Sequence, residues 1–483
     1  MAGIVGITGT DREEWVRRAL NTIAYRGGSG ETVRTLQGAT LGQVWPAVQD
    51  CVASGADQTT VVLDGEIHNW TGISVGGTCA LEAVEQAYRE KGPGFVSDLD
   101  GPFALAIAGD DGLFLARDRV GKCPLYFGRR NGTLCFASEM KGLPDWDGDI
   151  AEFPPGHHYA PDTGLKKFAD IRTRPSTDQT EDEVADELRG RLVASVAKRI
   201  TNGETGAWLS GGIDSATLTA LARHQLPTLK TFAAGVEGAP DLQYARVVSD
   251  YLGTEHHESI CTLEEMLAVL PEVIYHLESF DALLVRSSIM NFLVGRLAAD
   301  HVPAVLSGEG GDELFAGYSY LKKLEPSEIP DELVDITRRL HNTALQRVDR
   351  CSSSHGLVAR TAFLDNDVLD FALQIPAAMK IHENGALVEK WILRRAMTGL
   401  LPDEVLTRPK SKFWQGAGVG EQLQAYAEEV ISDEEFAAER RIDNGATLNT
   451  KEELFYYRIF KDVSGSQVDA GLVGRTKGAP RAS

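Results

Sequence analysis

Leu209-Ser210-Gly211-Gly212-Ile213-Asp214-Ser215 stands between a short apolar run, Gly206–Leu209, and a stretch with helical spacing, Ser215–His224. Two adjacent glycines let the backbone turn tightly and bring N–H groups up to an anion. The N-terminus of the following helix adds positive field where a pyrophosphate would sit. Ser210 and Ser215 can donate further hydrogen bonds. A plain capped helix start uses the same residue types, so the surroundings decide the meaning.

Outward from this motif, strand-like and helical patterns alternate. Val184–Arg199 is amphipathic by spacing, Thr228–Val236 reads as a strand, Leu242–Leu252 as a helix and Val302–Leu306 as a strand. Such alternation implies a parallel sheet with ligand at the carboxyl ends of its strands. The last of these strands runs into a second glycine-rich turn, Ser307-Gly308-Glu309-Gly310-Gly311-Asp312-Glu313. Both turns leave parallel strands at one edge, so Asp214 and Asp312 are expected to converge. Two carboxylates beside a triphosphate suit Mg²⁺, which takes oxygen ligands and bridges phosphates. A helix-capping carboxylate is the competing reading of Asp312.

Residues 1–171 differ in character: short strand-like pieces such as Gly3–Thr8 and Phe103–Ala108 are separated by the turn signals Asp100-Gly101 and Asn131-Gly132. They read as a strand-rich α+β domain. The polar stretch Arg172–Glu183 is the expected linker, 184–464 the second domain, and 465–483 a polar, mobile tail. Two or three domains at about 150 residues each fit the 483-residue length.

The net charge of −22 argues against general nucleic-acid binding, which needs clustered positive charge. No run of about 18 apolar residues suggests a membrane helix, and Met-Ala-Gly-Ile-Val-Gly at the start lacks a basic leader. The six cysteines form no C-x-x-C pair and read as reduced thiols in a cytoplasm.

Ser-Gly-Gly-Ile-Asp-Ser resembles the PP-loop of the ATP pyrophosphatases, which release pyrophosphate and leave AMP. Residues 307–318, Ser-Gly-Glu-Gly-Gly-Asp-Glu-Leu-Phe-Ala-Gly-Tyr, resemble the matching block of the asparagine synthetases. Phe363-Leu364-Asp365, Glu389-Lys390-Trp391-Ile392-Leu393-Arg394 and Lys451 through Phe460 fit the same family. So does Ala116-Arg117-Asp118-Arg119-Val120-Gly121-Lys122-Cys123-Pro124 in the N-terminal half. The resemblance implies an N-terminal Ntn-type α+β sandwich followed by a parallel-sheet ATP pyrophosphatase domain. It implies ATP and Mg²⁺ as cofactors. It places Leu209, Ser210, Gly211, Gly212, Ser215, Ala234, Ser307 and Gly308 on the nucleotide. Asp214 and Asp312 fall on the metal, and Lys390 and Lys410 on the phosphates. Two lysines suit a site where negative charge builds on leaving pyrophosphate, although a snorkelling surface lysine has the same sequence appearance.

In that family the N-terminal domain hydrolyses glutamine with a cysteine directly after the initiator methionine. Here Ala2 holds that position, and no binding residue can replace a nucleophile. The family arginine that would grip the glutamine carboxylate falls at Trp45. The Asn-Gly-Glu block reads Asp64-Gly65-Glu66, and an anion at Asp64 opposes a developing oxyanion. A further aspartate aligns with Ala80. These departures imply a domain without glutaminase activity.

The expected function is an AMP-forming amide synthetase that adenylates a small carboxylate, by default aspartate, and transfers ammonia or another amine. The expected partners are these small molecules and a second copy of the chain. A β-lactam-synthetase-like internal amide closure is the alternative, as is a biosynthetic ligase using a different amine. The β-lactam-forming relatives carry a tyrosine where this chain has Glu309, a group able to position the amine and take its proton. Val358 and Thr361-Ala362 depart from the family pattern, through either neutral repacking or a reshaped acceptor pocket.

Overall fold

The computed structural model describes the chain except Thr10 and residues 47–58, 75–76, 201–203, 384–386, 411–412, 443–446, 465–467 and 478–483. The chain divides into two compact units. The first comprises Met1–Asp170, Ser352–Val358 and Phe460–Gly474; the second comprises Ile171–Cys351, Ala359–Ile459 and Arg475–Ser483.

In the first unit a six-stranded and a five-stranded sheet are built from antiparallel pairs. Phe103–Gly109 shows why the layers form. Side chains alternate faces along a strand. Phe103, Leu105 and Ile107 enter a core with Leu81, Val84 and Phe95 of the helical side. The small Ala104, Ala106 and Ala108 enter a second core with Ile4, Leu41 and Phe136. Large residues thus meet the helix Ala80–Lys91, and alanines let the two sheets approach.

The second unit centres on a five-stranded sheet in the order Glu255–Ile260, Lys230–Gly235, Thr205–Trp208, Ala304–Ser307, Val358–Thr361. The pairings among the first four are parallel. Their carboxyl ends lead directly into both glycine-rich turns.

Three expectations are corrected here. The linker ends before Glu183, because Thr180 and Glu183 form a reciprocal capping box that starts the helix Glu181–Ala197. The stretch before it is held by an Arg174–Asp370 ion pair and by the Thr177 N–H on the Gln374 carbonyl. The tail expected to be mobile from residue 465 contains anchored residues. Thr476 donates its N–H and hydroxyl to Asp281, and Lys477 pairs with Glu332 and Asp335. Cys79 is disulfide-bonded, against the expectation of thiols throughout; Cys123, Cys135, Cys261 and Cys351 are buried thiols. The helix Ala282–Ala299 is long and apolar enough to cross a membrane, but Leu284, Ile289, Phe292 and Leu293 are buried inside this unit.

Lys380 is 2 % exposed, and burial alone pushes its ammonium down to about 7. The folded state binds this proton less tightly than the unfolded chain. The cost is therefore full below pH 7 and fades as pH rises towards the ordinary lysine value. Lys380→Met is expected to raise the melting temperature, more at pH 6.5 than at pH 9. Equal melting curves at pH 6.5 would contradict this.

Candidate active site

The strand Thr205–Trp208 ends at Leu209, and the chain turns at Gly211 with φ +68°. A Cβ there would lie 2.5 Å from the Tyr244 carbonyl carbon, so only glycine fits. The helix Ile213–Gln225 begins at Gly212 without a side-chain cap, which leaves its first N–H groups for an anion. Ser215 Oγ accepts from the Ser210 N–H at 3.2 Å and donates to the Gly212 carbonyl at 3.1 Å, fixing the loop.

The second turn lies against the first. A Cβ at Gly311 would stand 2.5 Å from Asp214 Oδ1, and one at Gly308 would stand 3.2 Å from Asp214 Cβ. A Cβ at Gly317 would collide with the Asp312 carboxylate and the Lys390 side chain. These glycines make the room in which the two carboxylates converge.

Lys390 Nζ sits between them, 2.5 Å from Asp214 Oδ2 and 2.5 Å from Asp312 Oδ1. Lys410 Nζ is 2.6 Å from Asp312 Oδ2. Lys390 is fully buried and holds φ +56°, a left-handed conformation that costs a lysine about 1–3 kcal/mol. Burial opposes the charge on Asp312, but Lys390 and Lys410 outweigh it and hold the carboxyl below the usual range. Burial likewise opposes the Lys410 charge, while Asp312 and Asp214 raise its pKa above the ordinary lysine value. Glu313, buried beside Asp312, is pushed up to about 7 and accepts from the Tyr318 hydroxyl.

A cavity of about 660 Å³ opens on this array. Leu209, Ser210, Asp214, Ser215, Ala234, Ser307, Gly308, Glu309, Asp312 and Lys410 all line it. Lys390 and Gly212 line a smaller adjoining recess with Ser210, Asp214 and Lys410. Gly211 shapes the loop from beneath. Thr361 and Ala362 are buried and do not line this cavity.

Sequence reasoning missed several residues. Arg347 pairs through its guanidinium with Glu309. Glu389 accepts from the Lys410 N–H at 3.0 Å and pairs with Arg394 at 2.9 Å, so it orients the segments carrying both lysines. Arg408 pairs with the buried Asp241 at 2.5 Å and donates to the Ser210 carbonyl. Glu389 adjoins Lys390 in sequence, and Arg408 lies two residues before Lys410. Arg347 sits in no motif.

In the first unit, the Ala2 carbonyl accepts from Arg26 Nε at 2.7 Å, and Ala2 is buried. Arg26 also reaches Asp64 at 3.0 Å and Glu139 at 2.7 Å, all three fully buried. The Asp64 charge is thus matched within the domain. The Trp45 ring lies against Gly30, where a Cβ would meet it at 2.6 Å. Gly65 takes φ +118°, and the Glu66 N–H bonds the Pro102 carbonyl at 2.9 Å. Ala80 packs against the helix-side core.

A family model described as "Asparagine synthase" matches residues 187–332 and 326–469, and one described as "Glutamine amidotransferase domain" matches 1–152. The "Asparagine synthetase [glutamine-hydrolyzing]" of Triphysaria versicolor is 34% identical over 83% of this chain and 74% of its own length. "Asparagine synthetase B [glutamine-hydrolyzing]" of Escherichia coli (strain K12) is 33% identical over 94% of this chain and 89% of its own.

Proposed function

The chain belongs to the asparagine synthetase family of ATP-dependent carbon–nitrogen ligases, and from that premise we propose that it adenylates a carboxylate and passes the acyl group to ammonia without hydrolysing glutamine. The observation that carries the nucleotide half is the array Asp214–Lys390–Asp312–Lys410 beside an uncapped helix N-terminus.

A carboxylate oxygen of the acceptor attacks the α-phosphorus of ATP, and pyrophosphate leaves. The helix N–H groups and Ser210 hold the departing phosphates, and Lys390 and Lys410 offset the charge that builds on them. Ammonia then attacks the acyl carbon and AMP departs. Family members use ATP with Mg²⁺, and this site fits the ion. Asp214 Oδ1 is buried with no hydrogen-bond partner, and the donors are hard carboxylate oxygens. Asp214 and Asp312 would hold Mg²⁺, which supplies charge neutralisation on the pyrophosphate.

The relatives carry glutamine hydrolysis in their names. This chain departs from that chemistry at Ala2, Trp45, Asp64 and Ala80. With no nucleophile at position 2, nitrogen enters as ammonia. Aspartate is the acceptor proposed by default, and a cytoplasm the setting.

Glu309 is the proposed amine-positioning group. Its carboxylate lines the cavity and pairs with the Arg347 guanidinium. Glu309→Gln keeps the shape and removes the base, a loss worth on the order of 10²-fold or more. Amide formation should fall by that factor while ATP–pyrophosphate exchange stays within a few-fold. Equal loss of both rates would move Glu309 to the adenylation step. A cyclised product formed without added amine would establish the intramolecular alternative.

A further inference from the structure

Thr476 and Lys477 line the cavity of the second unit, and each is tied to a different helix of its wall. The Thr476 N–H and hydroxyl donate to the Asp281 carboxylate at 3.1 and 2.8 Å. Asp281 also accepts from the Leu284 N–H at 3.0 Å. It thereby caps the helix Ala282–Ala299, whose Leu283, Leu284 and Ser287 line the cavity. Lys477 Nζ lies 2.7 Å from Glu332 and 2.8 Å from Asp335, both on the helix Ile329–Arg338. Ile336, the next residue of that helix, lines the cavity too. Just before them, the Arg475 guanidinium stands 5.2 Å from the centre of the Phe280 ring. Three consecutive residues thus bridge two helices that both shape the cavity.

The two ties differ in strength. Asp281 is 1% exposed, so its bonds to Thr476 are shielded from water. The Lys477 side chain is 40% exposed, and ion pairs of that kind are screened and weak. The bridge is therefore fixed at Thr476 and releasable at Lys477. The reaction has a use for such a device. An acyl-adenylate is a mixed anhydride that water attacks as readily as ammonia does. Water adds at the acyl carbon, the bond to AMP breaks, and the carboxylate returns with release of a proton. ATP is then consumed without an amide. Closing a site excludes that water, and opening it admits substrates and frees products.

We propose that Arg475–Lys477 is a strap that shuts the cavity over the acyl-adenylate, with Thr476 as its fixed point and Lys477 as its latch. This rests on the adenylation reading above and adds to it the part that keeps the intermediate from water.

The test counts AMP and amide formed by the full chain with ATP, Mg²⁺, aspartate and ammonium. The wild type should give the two in a one-to-one ratio. Thr476→Val combined with Lys477→Glu removes the hydroxyl tie and sets a third acid beside Glu332 and Asp335. This double variant should form AMP in about two- to tenfold excess over amide, as water reaches the intermediate. Lys477→Arg keeps the charge and should keep the one-to-one ratio. A segment that only stabilised the fold would lower both products together. A one-to-one ratio in the double variant therefore overturns the proposal, whatever its rate. So does excess AMP from Lys477→Arg or from the wild type. Absence of AMP with the wild type overturns the adenylation reading itself, and the strap with it.

Discussion

Asp312→Ala is expected to lower AMP formation by on the order of 10²-fold or more, with the fold retained. The Asp312 carboxylate meets Lys390 through one oxygen and Lys410 through the other. Its removal leaves Lys410 without its 2.6 Å partner and brings two ammonium groups together without the charge between them. It also deletes one of the two oxygen donors placed for Mg²⁺. Asp214→Ala should act in the same direction but leave Lys410 in place. Pyrophosphate release, measured with ATP, aspartate and ammonium, checks both variants. Near-normal turnover of Asp312→Ala would sink the metal and charge assignment.

The second large effect is an absence of glutaminase activity. Glutamate release from glutamine is expected to stay at the no-enzyme background while AMP forms with ammonium. Losing a nucleophile removes a covalent route, not a fraction of one. Ala2→Cys alone should not restore the activity. Trp45 cannot pair with a carboxylate, and Asp64 is held by Arg26 within the buried cluster. Glutamate release matching AMP formation in the wild type would refute this account of the first unit.

The turns at Ser210–Ser215 and Ser307–Glu313 were legible because their signals are local: paired glycines, a following helix and a preceding apolar run. Convergence of Asp214 and Asp312 followed from parallel strands, whose carboxyl ends share one edge. Lys390 and Lys410 come from far along the chain, and only family resemblance joined them to the carboxylates. Arg347 was not legible, because it sits in no motif and meets Glu309 from 38 residues away. The edge strand Glu255–Ile260 is almost wholly polar and so gives no buried-strand pattern. The capping box at Thr180 is legible from Thr-x-x-Glu alone and sets the helix start inside the expected linker. The anchoring of Thr476 and Lys477 depends on Asp281, Glu332 and Asp335, acids more than 140 residues away in sequence, beyond any local rule.

The central claim is adenylation of a carboxylate followed by amination from free ammonia. It is tested most directly by product analysis of the full chain with ATP, Mg²⁺, aspartate and ¹⁵N-ammonium, unlabelled glutamine being present in equal amount. The account predicts AMP and pyrophosphate in a one-to-one ratio with an amide carrying ¹⁵N. Production of ADP and phosphate, or an amide whose nitrogen is unlabelled and comes from glutamine, would contradict it.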